Sequence, residues 1–407
     1  MITKKKVPLF SPFRYPDYRN LCIANFIANI GAWIQIFASG WLIASQTKDP
    51  SISVMSQTMT QIPIFIFSMI GGVISDRMNH FRYLYMINIS IFILVLILGL
   101  VTMFYSPQVN YILIFTFLIA SGTALKTSSW QASMSTLVNS DEIESSATLN
   151  GLSYNLASII GPLIGTLILL LSQPGVLYLA NAACLLSLIF IYYNMKKIKT
   201  HKTKAYNMQI IDSLTQGISE CYKNKSFRHL TIIIIFLFFP ISAFQSLLPI
   251  YVTNTLSRGS VFLGYLMCNF GSGAVISAFF MPSIRSRLLR HNILTLFSLT
   301  LGWCFIVLSF KPPLMFIIPT VFIAGFVWAG IVSTSNSIAQ SCFNKEIRSR
   351  ALSIYSMFFY GALTLGSITW GRIASLLNIQ SSFLCTGSLL ISTSAYILLL
   401  NRKAVRI

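Results

Sequence analysis

Charge is what this sequence has least of. Of 407 residues only 9% are Asp, Glu, Lys or Arg, against about 25% in soluble domains. A chain of this length could bury a large core, but it would still need a charged surface to meet water. With 55% hydrophobic residues, most of its surface must meet lipid instead. Acidic residues are scarcer still. The nine are Asp17, Asp49, Asp76, Asp141, Glu142, Glu144, Asp212, Glu220 and Glu346, and none lies inside a long apolar run. The four histidines, His80, His201, His229 and His291, fall in loops or at the ends of runs. The carboxylate or histidine relays that carry protons through many membrane proteins are therefore excluded from the spans.

Catalytic and metal-binding patterns are lacking too. The seven cysteines include no C-x-x-C pair, so neither a disulfide framework nor a metal site is expected. No G-x-S-x-G, H-E-x-x-H or Walker G-x-x-x-x-G-K-[ST] occurs. An enzyme is not expected, no cofactor is implied, and ATP-driven transport by this chain alone is excluded. No small-residue cleavage site follows a short apolar core near the N-terminus, so the first apolar run reads as a retained helix.

What the sequence has in abundance is long apolar runs. Twelve are of spanning length, which is roughly 20 residues: 21–46, 51–75, 82–104, 110–137, 146–171, 175–195, 228–254, 260–282, 291–310, 313–341, 350–375 and 381–400. The expected fold is an all-α membrane protein with twelve transmembrane helices in two pseudo-symmetric six-helix bundles. Residues 1–195 would form the first bundle and 228–407 the second. Residues 196–227 would be a cytoplasmic linker, in which Ile210, Ile211, Leu214, Ile218, Cys221 and Tyr222 recur at the spacing of an amphipathic helix.

The net charge of +20 does not point to nucleic acid, because the basic residues sit in short loops and not on one folded face. With both termini inside, 24 of the 29 Lys and Arg residues lie in cytoplasmic segments, as the positive-inside rule requires. A bacterial inner membrane is the expected location and the bilayer the main partner. A monomer is expected, and nothing identifies an outer-membrane partner.

The halves repeat. Gly161-Pro-Leu-Ile-Gly165 is paralleled by Gly366-Ser-Ile-Thr-Trp-Gly371, about 205 residues later. Six-plus-six repeats with a long central loop suggest two bundles rocking about a midplane site. After the second run comes Gly71-Gly72-Val-Ile-Ser-Asp76-Arg77-Met-Asn-His80-Phe-Arg82. This resembles the G-x-x-x-D-R-x-x-R-R signature loop of the major facilitator superfamily, with the last basic pair weakened to His80 and Phe81. Phe10-Ser-Pro-Phe-Arg14, Asn29-Ile-Gly31-Ala-Trp33-Ile-Gln35, Trp130-Gln131, Asn150, Asn155, Gly161-Pro162, Gly271-Ser-Gly-Ala-Val and Arg348-Ser-Arg350-Ala-Leu-Ser-Ile-Tyr355 narrow the resemblance. They are similar to the enterobactin-exporter-like, or transmembrane secretion effector, branch. That resemblance covers nearly the whole chain. It implies the major facilitator fold and export of small molecules, with siderophores the best-known substrates of the branch. Efflux of drugs or toxic amphiphiles is the alternative; an importer or a lipid-moving protein stands behind both.

One departure is informative. The branch often carries an arginine in its fifth span, where this sequence has Ser158 in Asn155-Leu-Ala-Ser158-Ile-Ile-Gly161-Pro162. Lys126 lies unusually inside the fourth span, and both residues are 16 positions from Glu142 at the intervening turn. The expectation is a cavity cation moved from the fifth helix to the fourth. Such a cavity favours anionic or neutral substrates. Polar residues at membrane depth complete the candidate lining: Asn25, Asn29, Gln35, Gln131, Asn155, Gln245, Asn336 and Gln340. The resemblance assigns gating to Gly72, Asp76 and Arg77, and to Arg348 and Arg350 in the second half.

Overall fold

In a bilayer core no water is available to the backbone, so each crossing segment must satisfy its own N–H and C=O groups. The computed structural model shows the result. It describes residues 8–105, 107–195, 225–342 and 345–404, and the side chains of 71–77 and 345–351 are among those outside the description. The expected amphipathic linker helix lies outside the described residues.

No strand occurs among the described residues. The long helices are α1 (Pro16–Gln46), α2 (Met55–Arg77), α3 (His80–Phe104), α4 (Val109–Thr136), α5 (Ile143–Leu171), α6 (Gly175–Met195), α7 (Lys225–Ile250), α8 (Ser260–Arg287), α9 (Arg290–Ser309), α10 (Leu314–Ser341), α11 (Lys345–Leu376) and α12 (Ile379–Ala404). Among the described residues, ten of these are long and apolar enough to cross a membrane. α2 and α11 are the other two.

Local chemistry sets the helix ends. Asn79 caps α3, its side-chain oxygen accepting from the Phe81 and Arg82 amides at 3.0 and 3.1 Å. Asp49 caps the one-turn helix Pro50–Ser53 in the same way. Prolines lie inside several helices, among them Pro63, Pro162, Pro240 and Pro319. Threonine hydroxyls also bond back along their own helices, as Thr166 does in donating to the Pro162 carbonyl at 2.8 Å. After Pro249 the chain widens into a π-helical segment, Tyr251–Thr255.

Contacts group the chain into two compact units. One comprises Met1–Ala38, Phe67–Pro107 and Ser121–Tyr206; the other comprises Ser39–Ile66, Gln108–Ala120 and Asn207–Ile407.

In the first unit α1 runs parallel to α5. Matched contacts descend along them: Arg14 with Glu142, Tyr18 with Ser146, Asn25 with Asn150 and Asn29 with Ser153. The sequence permits this closeness through Gly161, where any side chain would overlap Trp33 and crowd the Ile30 carbonyl.

In the second unit α7 runs parallel to α11 in the same manner. Gly366 abuts the Phe239 carbonyl, and the Trp370 indole N–H donates to that carbonyl at 2.9 Å. Gly161 and Gly366, 205 residues apart, thus each seat one helix closely on another, α5 on α1 and α11 on α7.

The second unit also holds the far ends of α1 and α2. Thr58 and Ser367 hydroxyls lie 2.7 Å apart, Gln57 donates to Gln245 at 3.1 Å, and Asn254 donates to the Lys48 carbonyl at 2.9 Å. Val54 is fully buried there against Gly371.

Candidate functional site

The polar candidates separate by where their helices place them. Asn25 and Asn29 are half-buried struts between α1 and α5, donating to Asn150 at 3.1 Å and to Ser153 at 3.4 Å. Gln35 is buried and accepts from the Asn181 amide at 2.5 Å, which ties α1 to α6. Ser158 is buried and bonds its own helix, donating to the Asn155 carbonyl at 2.6 Å. Asn155 itself is half-buried. Gln245 meets Gln57 in the second unit.

Gln131, Asn336 and Gln340 are exposed. Gln131 and Asn336 each lie five residues before the end of their helix, or about 8 Å at 1.5 Å per residue. Gln340 donates to Asn336 at 3.5 Å along one face of α10. On the same helix Ser333 and Ser341 accept from Arg285 and Arg290 at 2.7 and 2.9 Å. This end of the helix pair is polar and cationic. The side chains of Gly72, Asp76, Arg77, Arg348 and Arg350 lie outside the described residues.

Lys126 is the charged group at depth. It stands ten residues, about 15 Å, from the C-terminal end of α4. Its ammonium donates to Asn88 Oδ1 of α3 at 3.5 Å. Asn88 is fully buried, and its amide nitrogen is held by the Leu84 carbonyl at 2.7 Å. That bond fixes the amide so that its oxygen faces the lysine. Among the described residues no carboxylate is within ion-pair range of Lys126; the ion pair they contain is Arg14–Glu142, at 3.1 Å near the ends of α1 and α5. An ammonium has three donors, so the long contact to Asn88 leaves capacity for an acceptor on a substrate. Lys126 and Ser158 do not hydrogen-bond each other: the lysine turns to α3 while the serine bonds back along α5.

Asn88 went unnoticed in the sequence, although a signal was there. It is an amide in an otherwise strongly apolar run, and it lies 19 residues before Pro107 at the α3–α4 turn. Lys126 lies 19 residues after that turn, so an antiparallel hairpin brings the two to one depth. Gln57, Ser153 and Asn181 were missed because a lone polar residue in a uniformly apolar helix does not reveal which neighbour it faces.

With this geometry in hand, known proteins supply the family. The family described as transmembrane secretion effector matches residues 7–405. The chain belongs to that family of the major facilitator superfamily. The staphyloferrin A transporter of Staphylococcus aureus is 22% identical over 386 residues, covering 93% of this chain and 95% of that protein. The multidrug efflux pump Tap of Mycobacterium tuberculosis is 22% identical over 387 residues, covering 90% and 91%. Among solved structures, a peptide-transporter (POT) family protein bound to 5-aminolevulinic acid superposes with a TM-score of 0.77 at 15% identity, covering 98% of this chain and 99% of that one. The nucleoside transporter NupG gives 0.76 at 13% identity, covering 94% and 99%. This secretion effector chain is therefore a multi-pass membrane transporter of the major facilitator type and not an enzyme.

Proposed function

We propose that the chain exports a small anionic or neutral metabolite, most specifically a siderophore, by alternating access across a bacterial cytoplasmic membrane. In this reading all twelve long helices cross the bilayer. Residues 1–195 and 228–407 form two six-helix bundles joined by the cytoplasmic segment 196–227, and both termini lie inside. Asp76, Arg77, Arg348 and Arg350 latch the cytoplasmic side when the route opens outward.

The observation that carries the reading is Lys126, a membrane-depth cation oriented by a neutral amide and, among the described residues, without a carboxylate partner. Charge inside a membrane is costly and persists where it meets a water-filled path. A positive fixed charge with no acidic counterpart disfavours organic cations and suits a substrate rich in carboxylate or phenolate oxygens. The inside-negative membrane potential then drives anion exit by roughly 2.3 kcal/mol per charge per 100 mV. Likeness to the staphyloferrin A transporter agrees with this substrate class.

Multidrug efflux is the second reading, favoured by the likeness to Tap at the same 22% identity. A deletion strain separates the two. Under iron limitation, iron-chelating activity should accumulate inside deletion cells and return to the medium when the gene is restored. Equal secretion in all strains, together with new sensitivity to amphiphilic drugs, would move the assignment to drug efflux.

A further inference from the structure

The 205-residue repeat carries a second pattern at mid-depth. In the first unit Trp33 of α1 and Tyr154 of α5 pack ring to ring, 5.5 Å between centroids. Advancing each by 205 gives Phe238 of α7 and Phe359 of α11, and these rings also pack, at 4.4 Å. Each half therefore bridges its first and fifth helices with an aromatic pair.

In the second unit the pair grows into a cluster. Trp328 of α10 sets its edge on Phe238 at 5.8 Å, Tyr355 stacks on Phe359 at 6.1 Å with planes 23° apart, and Tyr360 meets Phe359 at 4.9 Å. Phe238 lies 13 residues, about 20 Å, from the start of α7, and Phe359 14 residues, about 21 Å, from the start of α11. Trp328 lies 13 residues from the C-terminal end of α10. The cluster is thus at the level of the bilayer middle. Trp328, Phe359 and Tyr360 are half-buried and not sealed in the core.

One polar atom in this cluster is unexplained. Tyr355 is 7% exposed, and among the described residues its hydroxyl has no hydrogen-bond partner. The repeat explains the vacancy. Tyr355 occupies the position of Asn150, which in the first unit accepts from Asn25; the counterpart of Asn25 is Leu230, which is buried and apolar. A buried phenol without a partner costs about 1–3 kcal/mol, so a donor kept there needs an acceptor from elsewhere.

We propose that Trp328, Tyr355, Phe359 and Tyr360, backed by the fully buried Phe238, form a binding subsite for a planar aromatic group that bears a hydrogen-bond acceptor. The rings supply stacking and the Tyr355 hydroxyl donates to the acceptor. The inference rests on the reading of the chain as a small-molecule exporter, and it adds an aromatic character to the substrate.

The test uses the full-length chain in lipid nanodiscs, with 1-hydroxy-2-naphthoate as the probe and cyclohexanecarboxylate as its non-planar comparison, binding being measured by calorimetry. Wild type should bind the naphthoate saturably and more tightly than the cyclohexyl acid. Tyr355→Phe, which keeps the ring, should weaken naphthoate about tenfold and leave the weaker acid unchanged. Phe359→Leu should weaken the naphthoate further, with thermal unfolding measured alongside to show that the variant is folded. No saturable naphthoate binding by wild type, equal affinity for the two acids, or equal naphthoate affinity in wild type and Tyr355→Phe overturns the subsite. Export by the deletion and restored strains is scored separately, so loss of the exporter reading is distinguishable from loss of the subsite.

Discussion

Replacing Lys126 by Gln removes the ammonium but leaves a side chain that can still face Asn88. At 4 Å and an effective dielectric of about 20, an ammonium attracts a carboxylate by about 4 kcal/mol. Removing both ions from water offsets much of this, leaving roughly 1.5–3 kcal/mol, the net worth of a hydrogen bond to a charged group. Affinity for an anionic substrate should therefore fall by about 10- to 150-fold, while a neutral one is little affected. Lys126→Arg keeps the charge and should retain much of the transport. The assay is transport per inserted molecule, with insertion measured by blot, for one anionic and one neutral compound. Unchanged anionic transport in Lys126→Gln would refute the reasoning, because the ammonium would then not face the route. Equal loss for both compounds would reassign Lys126 to helix packing against Asn88.

Other outcomes follow from the same geometry. Cysteines replacing Thr58 and Ser367, whose hydroxyls are 2.7 Å apart, should cross-link under oxidation and arrest transport, with reduction restoring it; transport by the fully cross-linked protein would show that this contact need not open. Gly366→Ala places a methyl against the Phe239 carbonyl. Overpacking of this kind costs about 1–3 kcal/mol, so the melting temperature should fall by several degrees, and an unchanged value would contradict the close approach. The polar neighbours at its helix end, Ser11 first, then Tyr15 and the Arg14 guanidinium 3.1 Å away, hold the Glu142 carboxyl below its ordinary value. Its stabilising effect is therefore present above the usual carboxylate range and disappears as pH falls through the lowered value. Wild type should melt above Glu142→Gln at pH 7, and the two should converge in acid; a gap that persists at low pH would rule out this linkage. Asp76→Asn should impair transport more than insertion, and unchanged transport per molecule would remove the cytoplasmic latch.

Helices were legible because lipid forces length. The run 175–195 coincides with α6 (Gly175–Met195), and 313–341 nearly so with α10 (Leu314–Ser341). The run 228–254 was less well bounded: α7 begins at Lys225, since a charged first turn is compatible with an interfacial helix start, and its far end relaxes into the π-helical segment after Pro249. The close helix contacts at Gly161 and Gly366 were legible, because close helix approach leaves a glycine as its trace in the sequence. Facing direction was far less so. A soluble helix shows its buried side by an apolar stripe, but a membrane helix is apolar nearly all round. Gln35 could thus be read as cavity lining from its depth, whereas its partner Asn181 places it between α1 and α6. Lys126 was visible as an anomaly of charge; its partner Asn88 required the hairpin register as well.

Transport by the purified protein tests the central claim most directly. Liposomes containing the full-length chain would be loaded with iron-free chelator from the native culture, and its release followed after a potassium–valinomycin potential is imposed. The account predicts release faster than from protein-free liposomes, accelerated when the interior is negative and slowed by Lys126→Gln. Release no faster than from protein-free liposomes at either potential would contradict it.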